Sequence, residues 1–302
     1  MREARMSRTA WWSLTRGVGL VCLALAALAL GLLARRHQQP HPVPQALAAF
    51  LDVGSGDCTL IRTIDGTTIL LDAGSAETAK NVVHDLHRLH VRTVDLLVLA
   101  SPEARSIGGV PAVLAAFPVR AVWSTGAEGG SQAWQEALEA VGQHRVPLQT
   151  KYAGDHIQIG KATFWAAVWP PAQGARAHRD NLVYQLDFGT TRILFAGASR
   201  PEGEAFLVAN RGAALGCDDG SCTDLVLQAT AGGAEGGTNA ELLRQAAPSV
   251  VVASCGAGSP PAPGVLHRLG AAGAALWRTD TQGTVLVTTD GRSAPTVTSA
   301  HL

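Results

Sequence analysis

The residues able to do chemistry in this 302-residue chain are scattered, and most have a plainer use. His84, His87 and His90 recur every three positions, so neighbours share a helical edge on which a metal could sit. Val82, Val83, Leu86 and Leu89 mark the opposite face, however, so the histidines read as a solvated polar face. His156 and His178 have no ligand-like partner in sequence. Ser101 and Ser106 carry hydroxyls, but a serine nucleophile needs a base within hydrogen-bond reach and oxyanion donors, and no adjacent residue supplies them. They read as caps of the loop or of the following helix. Ser55 lacks the spacing of a nucleophile elbow, and the glycine clusters lack the Lys and Ser or Thr of a phosphate loop. Asp52, Asp57 and Asp72 stand beside the glycines of DVGSGD and DAG, where aspartate bonds backbone N–H groups of turns. Cys217 and Cys222 bracket the polar loop CDDGSC, which fits a small disulfide and also two unpaired thiols. Of Trp123, Trp134, Trp165, Trp169 and Trp277, most lie in apolar runs without interleaved basic residues, which suits packing better than base stacking.

The elements that must position these groups are short. AAFLDVG, CTLIRTI and TTILLDAG read as strands, with Asp65-Gly66 as a hairpin turn. A helix carrying the three histidines and the buried strand DLLVLA follow. Helices are expected over residues 108–117 and 131–142 around the strand AVWST. Strands then dominate through HIQIG, KATFWAAVWP, NLVYQLDFG and TRILFAGA. DLVLQAT, a helix at 239–246, SVVVASC, a helix near 264–272, ALWRT and TVLVTTD complete the pattern. Near-continuous apolar strands alternating with helices require burial on both faces, hence an α/β class with helices layered on sheets.

Hydrophobic residues make up 47% of the chain and charged residues 16%, which excludes a disordered protein. Residues 17–34 (GVGLVCLALAALALGLLA) carry no charge and would span about 27 Å as a helix. Trp11 and Trp12 precede this stretch, as do Arg2, Arg5, Arg8 and Arg16, against Arg35 and Arg36 after it. The expected organisation is a cytoplasmic basic terminus (1–16), a single transmembrane helix (17–34) and a Pro-rich linker (35–47). An extracytoplasmic domain (48–291) and a tail (292–302) follow. A cleaved signal peptide and a buried helix are the rival readings of 17–34. Beyond the first 40 residues, 18 basic residues face 23 acidic ones, which disfavours a nucleic-acid surface.

The segment FLDVGSGDCTLIRTIDGTTILLDAG resembles the opening of the metallo-β-lactamase-like domain of the ComEC-type competence family, which acts in bacterial DNA uptake. DLLVLASPEARSIGGVPAVLAAFPVRAVW, NLVYQLDFGTTRILFAGA, DLVLQATAGGAEGG, SVVVASCGAG and LWRTDTQGTVLVTTDG are similar to its later segments in the same order, over about residues 49–291. The resemblance implies a four-layer αββα sandwich. It also implies a metal loop of the form HxHxDH before Gly108-Gly109, where this chain has Ser101, Glu103, Arg105 and Ser106. The family's GD appears as Gly197-Ala198, its HHGS loop as Ala231-Gly232-Gly233-Ala234, and its terminal histidine region as SPPAPG. Asp52, Asp57, Asp72, Gly108 and Gly109 match retained family positions. Zinc needs imidazole, thiolate or carboxylate donors, so hydroxyls, alanines and a guanidinium imply that the metal chemistry is lost. The expectation is a non-catalytic binding or scaffolding domain at the bacterial cell membrane, without a cofactor, whose partner is an envelope protein or ligand. A metal-dependent hydrolase or nuclease with an unusual site is the alternative.

Overall fold

The computed structural model describes residues 45–126, 131–152, 155–160, 162–168, 183–211, 220 and 222–302. Gln45–Leu302 is one compact unit, distinct from Met1–Pro44. The expected membrane helix at 17–34 and most of the Pro-rich linker lie outside the described residues. Among the described residues no helix is long and apolar enough to cross a membrane.

Two sheets carry the compact unit. The first contains β1 (Ala46–Phe50), β2 (Thr59–Arg62), β3 (Thr68–Leu71), β4 (Leu96–Leu99), β5 (Val122–Ser124) and β6 (Leu148–Thr150), with β14 (Thr284–Thr289) and β15 (Thr296–Ala300) returning from the end of the chain. Its order is β15-β14-β1-β2-β3-β4-β5-β6, parallel from β3 to β6 and antiparallel elsewhere. The second contains β7 (His156–Ile159), β8 (Ala162–Val168), β9 (Val183–Phe188), β10 (Thr191–Phe195), β11 (Asp224–Gln228), β12 (Val250–Ala253) and β13 (Ala275–Arg278). Its order is β13-β12-β11-β10-β9-β8-β7, parallel from β10 to β13.

Strand alternation sorts side chains into three cores. Ile69 and Leu71 of β3, Leu96 and Val98 of β4, Ile193 and Phe195 of β10, and Val250 and Val252 of β12 meet between the sheets. Their neighbours Leu70, Leu97 and Leu99 face the other way. There they bury helices α1 (Ala79–Arg88), α2 (Ala104–Ile107), α3 (Val110–Ala116) and α4 (Gln132–Gln143), through residues such as Val82, Leu86, Val113 and Trp134. Leu194, Leu227 and Val251 cover α5 (Pro201–Arg211), α6 (Ala240–Ala246) and α7 (Pro263–Ala272). A short helix α8 (Thr279–Gln282) precedes β14. Helices outside two facing sheets make the αββα sandwich that near-continuous apolar strands require.

Two expected boundaries are corrected. The first strand starts at Ala46, inside the stretch read as linker, because β1 is paired along its length with β14 and from Leu47 with β2. The stretch read as a tail forms β15, where the β-branched Thr296, Val297 and Thr298 pair with β14. Helix α5 was also not expected, because its apolar residues form one run, 205–209, and do not recur at helical spacing.

Close backbone approach explains the glycine pair. A Cβ on Gly109 would lie 2.1 Å from the Ala73 carbonyl oxygen, and its N–H bonds Gly74 O at 3.0 Å. A Cβ on Gly108 would lie 2.5 Å from the Ala76 nitrogen. These contacts dock the loop after β3 against the start of α3. Gly109→Ala is expected to destabilise the protein by about 2 kcal/mol or more, since rigid backbone must move; a urea midpoint equal to wild type would show that the approach is not needed.

Candidate functional site

In open α/β sheets the loops beyond the carboxyl ends of parallel strands form the binding crevice. Here those ends carry Asp72 after β3, Ser101–Ser106 after β4, Gly197–Arg200 after β10, Gln228 and Ala231 at the end of β11, and Ser254 after β12. Asp57 joins them from the loop before the antiparallel β2. The sandwich therefore gathers most of the residues singled out from the sequence at one end, between the two sheets.

Side chains fill that crevice by bonding one another. Gln228 donates both amide hydrogens, to Asp57 Oδ1 at 2.9 Å and to Ser254 Oγ at 3.0 Å, so one side chain ties two strands of the second sheet to the first. A Cβ on Gly197 would stand 2.5 Å from both Asp57 Oδ1 and Gln228 Nε2, so only glycine allows this bridge. Glu103 is clasped from two sides: Arg105 Nε donates to Oε2 at 2.7 Å and Arg200 to Oε1 at 3.0 Å. Arg200 comes from the second sheet, making a further tie across the crevice.

Electrostatics follow from burial. Asp57 is 5% exposed, and loss of water pushes its carboxyl up to about 6; Arg105 pulls it down and Glu103 pushes it up. Asp72 is driven well above the usual carboxylate range by burial first and by Asp57 next, offset by the Ala100 N–H that donates to Oδ1 at 2.8 Å. That bond, and a φ of 59° at Asp72, fix the turn out of β3 against the loop out of β4. Burial alone would raise Glu103, but the hydrogen bonds and charges of Arg105 and Arg200 outweigh it and hold its carboxyl low.

Ser101 is buried and accepts the Glu103 N–H at 3.1 Å, closing the loop. Ser106 accepts the Ala73 N–H at 2.7 Å through its carbonyl, and its hydroxyl is buried with no partner among the described residues. Ala231 sits in the left-handed region at φ 46° and donates its N–H to Gly197 O at 2.9 Å, bringing the loops after β10 and β11 together. Ala198 is buried. Asp52 is not in the crevice; it is exposed on the side of the first sheet near α1. His87 packs its ring on Phe117 at 4.7 Å, while His84 and His90 are exposed. Trp123 and Trp134 are buried. Cys222 is buried and disulfide-bonded, while Cys217 lies outside the described residues, as do His178 and Trp169.

A divalent ion needs imidazole, thiolate or carboxylate lone pairs converging on one point. Of the crevice carboxylates, Glu103 has both oxygens engaged by guanidinium groups, and Asp57 and Asp72 each give one oxygen to a protein donor. Among the described residues no group of three or more His, Cys, Asp or Glu is arranged to hold a metal. The described residues of the crevice do not fit one.

Sequence reasoning missed Gln228, Ser254, Arg200 and Glu204. Gln228 and Ser254 do leave a signal, each being a polar residue at the end of an otherwise apolar strand. Glu204 leaves none: it is fully buried on α5, where it accepts from Thr230 Oγ1, the Thr238 and Asn239 backbone N–H groups and Asn239 Nδ2. One carboxylate thus anchors the whole loop from β11 to α6, assisted by Arg268 bonding Gly237 O at 2.8 Å.

Asp57 also sets a pH dependence. Its folded pKa of about 6 exceeds the ordinary 3.8, so folding takes up a proton between these values, and stability falls as pH rises through that window. Burial raises Asp72 in the same sense. Asp57→Asn is expected to flatten the fall in urea midpoint between pH 4 and pH 7 and to stabilise the protein at pH 7 by up to about 3 kcal/mol. An unchanged slope would mean that Asp57 is not buried as described.

No protein-family model matches the chain, and no curated protein sequence is significantly similar to it. Solved structures do match. The metallo-beta-lactamase fold protein YhfI from Bacillus subtilis aligns with a TM-score of 0.52 at 10% identity, over 81% of this chain and 100% of that one. CmlA, a diiron beta-hydroxylase from Streptomyces venezuelae, aligns with a TM-score of 0.50 at 14% identity, over 83% of this chain and 55% of that one. A Cronobacter sakazakii metallo-beta-lactamase with a HARLDQ motif aligns at 17% identity and a TM-score of 0.35, the match covering 49% of this chain and 54% of that one. At such identities the likeness establishes architecture alone, and with two facing sheets flanked by helices, the chain has the metallo-β-lactamase fold.

Proposed function

We propose that this chain is a membrane-anchored, extracytoplasmic domain that binds or scaffolds at the bacterial cell envelope and performs no metal-dependent hydrolysis. The observation that carries this reading is the double clasp on Glu103. A guanidinium on either side of the one carboxylate of the substituted loop 101–106 answers its charge within the protein. The Asp57–Gln228–Ser254 bridge does the same with neutral partners, leaving no set of donors for an ion that must activate water. Residues 17–34 supply the anchor by length and apolarity, and the arginine bias supplies the orientation. Resemblance to the ComEC-type family makes DNA uptake a setting for such a domain, although the net acidity of the region beyond residue 40 argues against direct contact with DNA.

One observation favours the alternative of a metal-dependent hydrolase with an unusual site: Asp57, Asp72 and Glu103 lie close enough to perturb one another's ionisation. A metal analysis of purified full-length protein, coupled to turnover of an activated phosphodiester and of a β-lactam, separates the readings. The expected result is substoichiometric metal and no metal-dependent turnover. Stoichiometric zinc, manganese or iron with turnover abolished by Asp57→Ala would establish the hydrolase instead.

A further inference from the structure

Away from the crevice, a polar cavity of about 290 Å³ opens between α1, the end of β1, the start of β14 and the last residues of the chain. Asp52, Asn81, His84, Asp85, Thr284 and His301 line it, with Gly283, Ala300 and Leu302 completing the wall. Asp85 is only 6% exposed, and its carboxylate takes part in no hydrogen bond or ion pair among the described residues. Burial first and Asp52 next push its carboxyl up, against the pull of His84 and Arg88, and a carboxylate so placed gains from a donor brought into the cavity. Asp52, across the cavity, accepts only a long 3.5 Å contact from the Gly54 N–H.

The lining fixes the class of ligand. Two carboxylates face the cavity, Asn81 and Thr284 add acceptors around them, and His84 in the wall acts on Asp85 as an opposite charge that offsets part of the cost of its burial. The guanidinium closest in sequence, Arg88, acts on Asp85 from outside the lining. An anion would be repelled, and an apolar group would leave these polar atoms unmet. Direct coordination of a metal does not fit, since no described group of three or more donors is arranged for it. A multidentate organic cation does fit, because its N–H groups can be shared between two carboxylates as charge-assisted bonds. We propose that this cavity binds a guanidinium or alkylammonium group on a short aliphatic stem, held between Asp52 and Asp85. The cation is borne either by a free small molecule or by an arginine or lysine side chain of a peptide. The site is separate from the crevice, so its failure would leave the reading of the crevice untouched.

The test is calorimetric titration of purified full-length protein with butylguanidinium, with butylammonium and with a blocked Gly-Arg-Gly peptide. Saturable binding of at least one probe is expected, weakened about tenfold or more by Asp85→Asn and likewise by Asp52→Asn, the loss of one charge-assisted hydrogen bond each. Asp95→Asn, outside the cavity lining, should leave affinity unchanged. The melting temperature of Asp85→Asn should equal or exceed that of wild type, and Asp52→Asn, being exposed, carries the test if the first variant does not fold. Tighter binding of the peptide than of butylguanidinium would assign a protein side chain as the source, and the reverse order a free small molecule. Absence of saturable binding by all three probes, or affinity retained in the Asp52→Asn, Asp85→Asn double variant, would overturn the proposal.

Discussion

A carboxyl group sealed between two β-sheets must find either donors or a proton, and Asp57 finds its donor in Gln228. Gln228 reaches across from the second sheet with one amide hydrogen and holds Ser254 with the other. The remaining cost of burial appears as a carboxyl raised to about 6. Everything at this end of the sandwich is arranged around that bridge. Gly197 is side-chain-free because the bridge occupies its space, and Ala231 is drawn into a left-handed turn against the Gly197 carbonyl. The sheets are thereby joined by polar side chains at a point where the resemblance implies a metal.

The second tie has a different character. Glu103 keeps its charge because Arg105 and Arg200 face it directly, and it remains partly open to solvent, so the clasp contributes to register more than to stability. Together the ties turn an inter-sheet crevice into a self-satisfied polar surface. The αββα architecture stands on the three apolar cores and on these polar ties. Glu204 anchors the β11 to α6 loop with bonds from the Thr238 and Asn239 backbone N–H groups and from the Asn239 amide.

Much of this architecture was legible in the chain. Alternating apolar runs marked most strands, and the periodicity of Val82, Leu86 and their neighbours marked α1, because two-sided burial writes itself into sequence as period and run length. The collinear resemblance marks Asp57, Asp72 and the 101–106 loop as family positions, while the residues alone read Asp57 and Asp72 as bonding the turns beside them and do not bring the three together. What stayed hidden depends on distant pairing. Gln228 meets Asp57 across 171 positions, and no local pattern encodes such a contact. Strand β15 was read as a tail because its partner β14 lies across a turn, and a short edge strand of threonines has little hydrophobic signal. Asp52 looked equivalent to Asp57 in the motif DVGSGD, yet the turn between them sends one to an outer cavity and the other to the crevice.

The most direct trial of this account is crystallographic. Crystals soaked in zinc or manganese and measured at the absorption edge would show whether an ion enters the crevice. The account predicts no anomalous peak near Asp57, Asp72 and Glu103, with Arg105 and Arg200 still on Glu103 and Gln228 still on Asp57. A well-occupied peak about 2.0 to 2.2 Å from two or more of those carboxylates, with the arginines displaced, would contradict it.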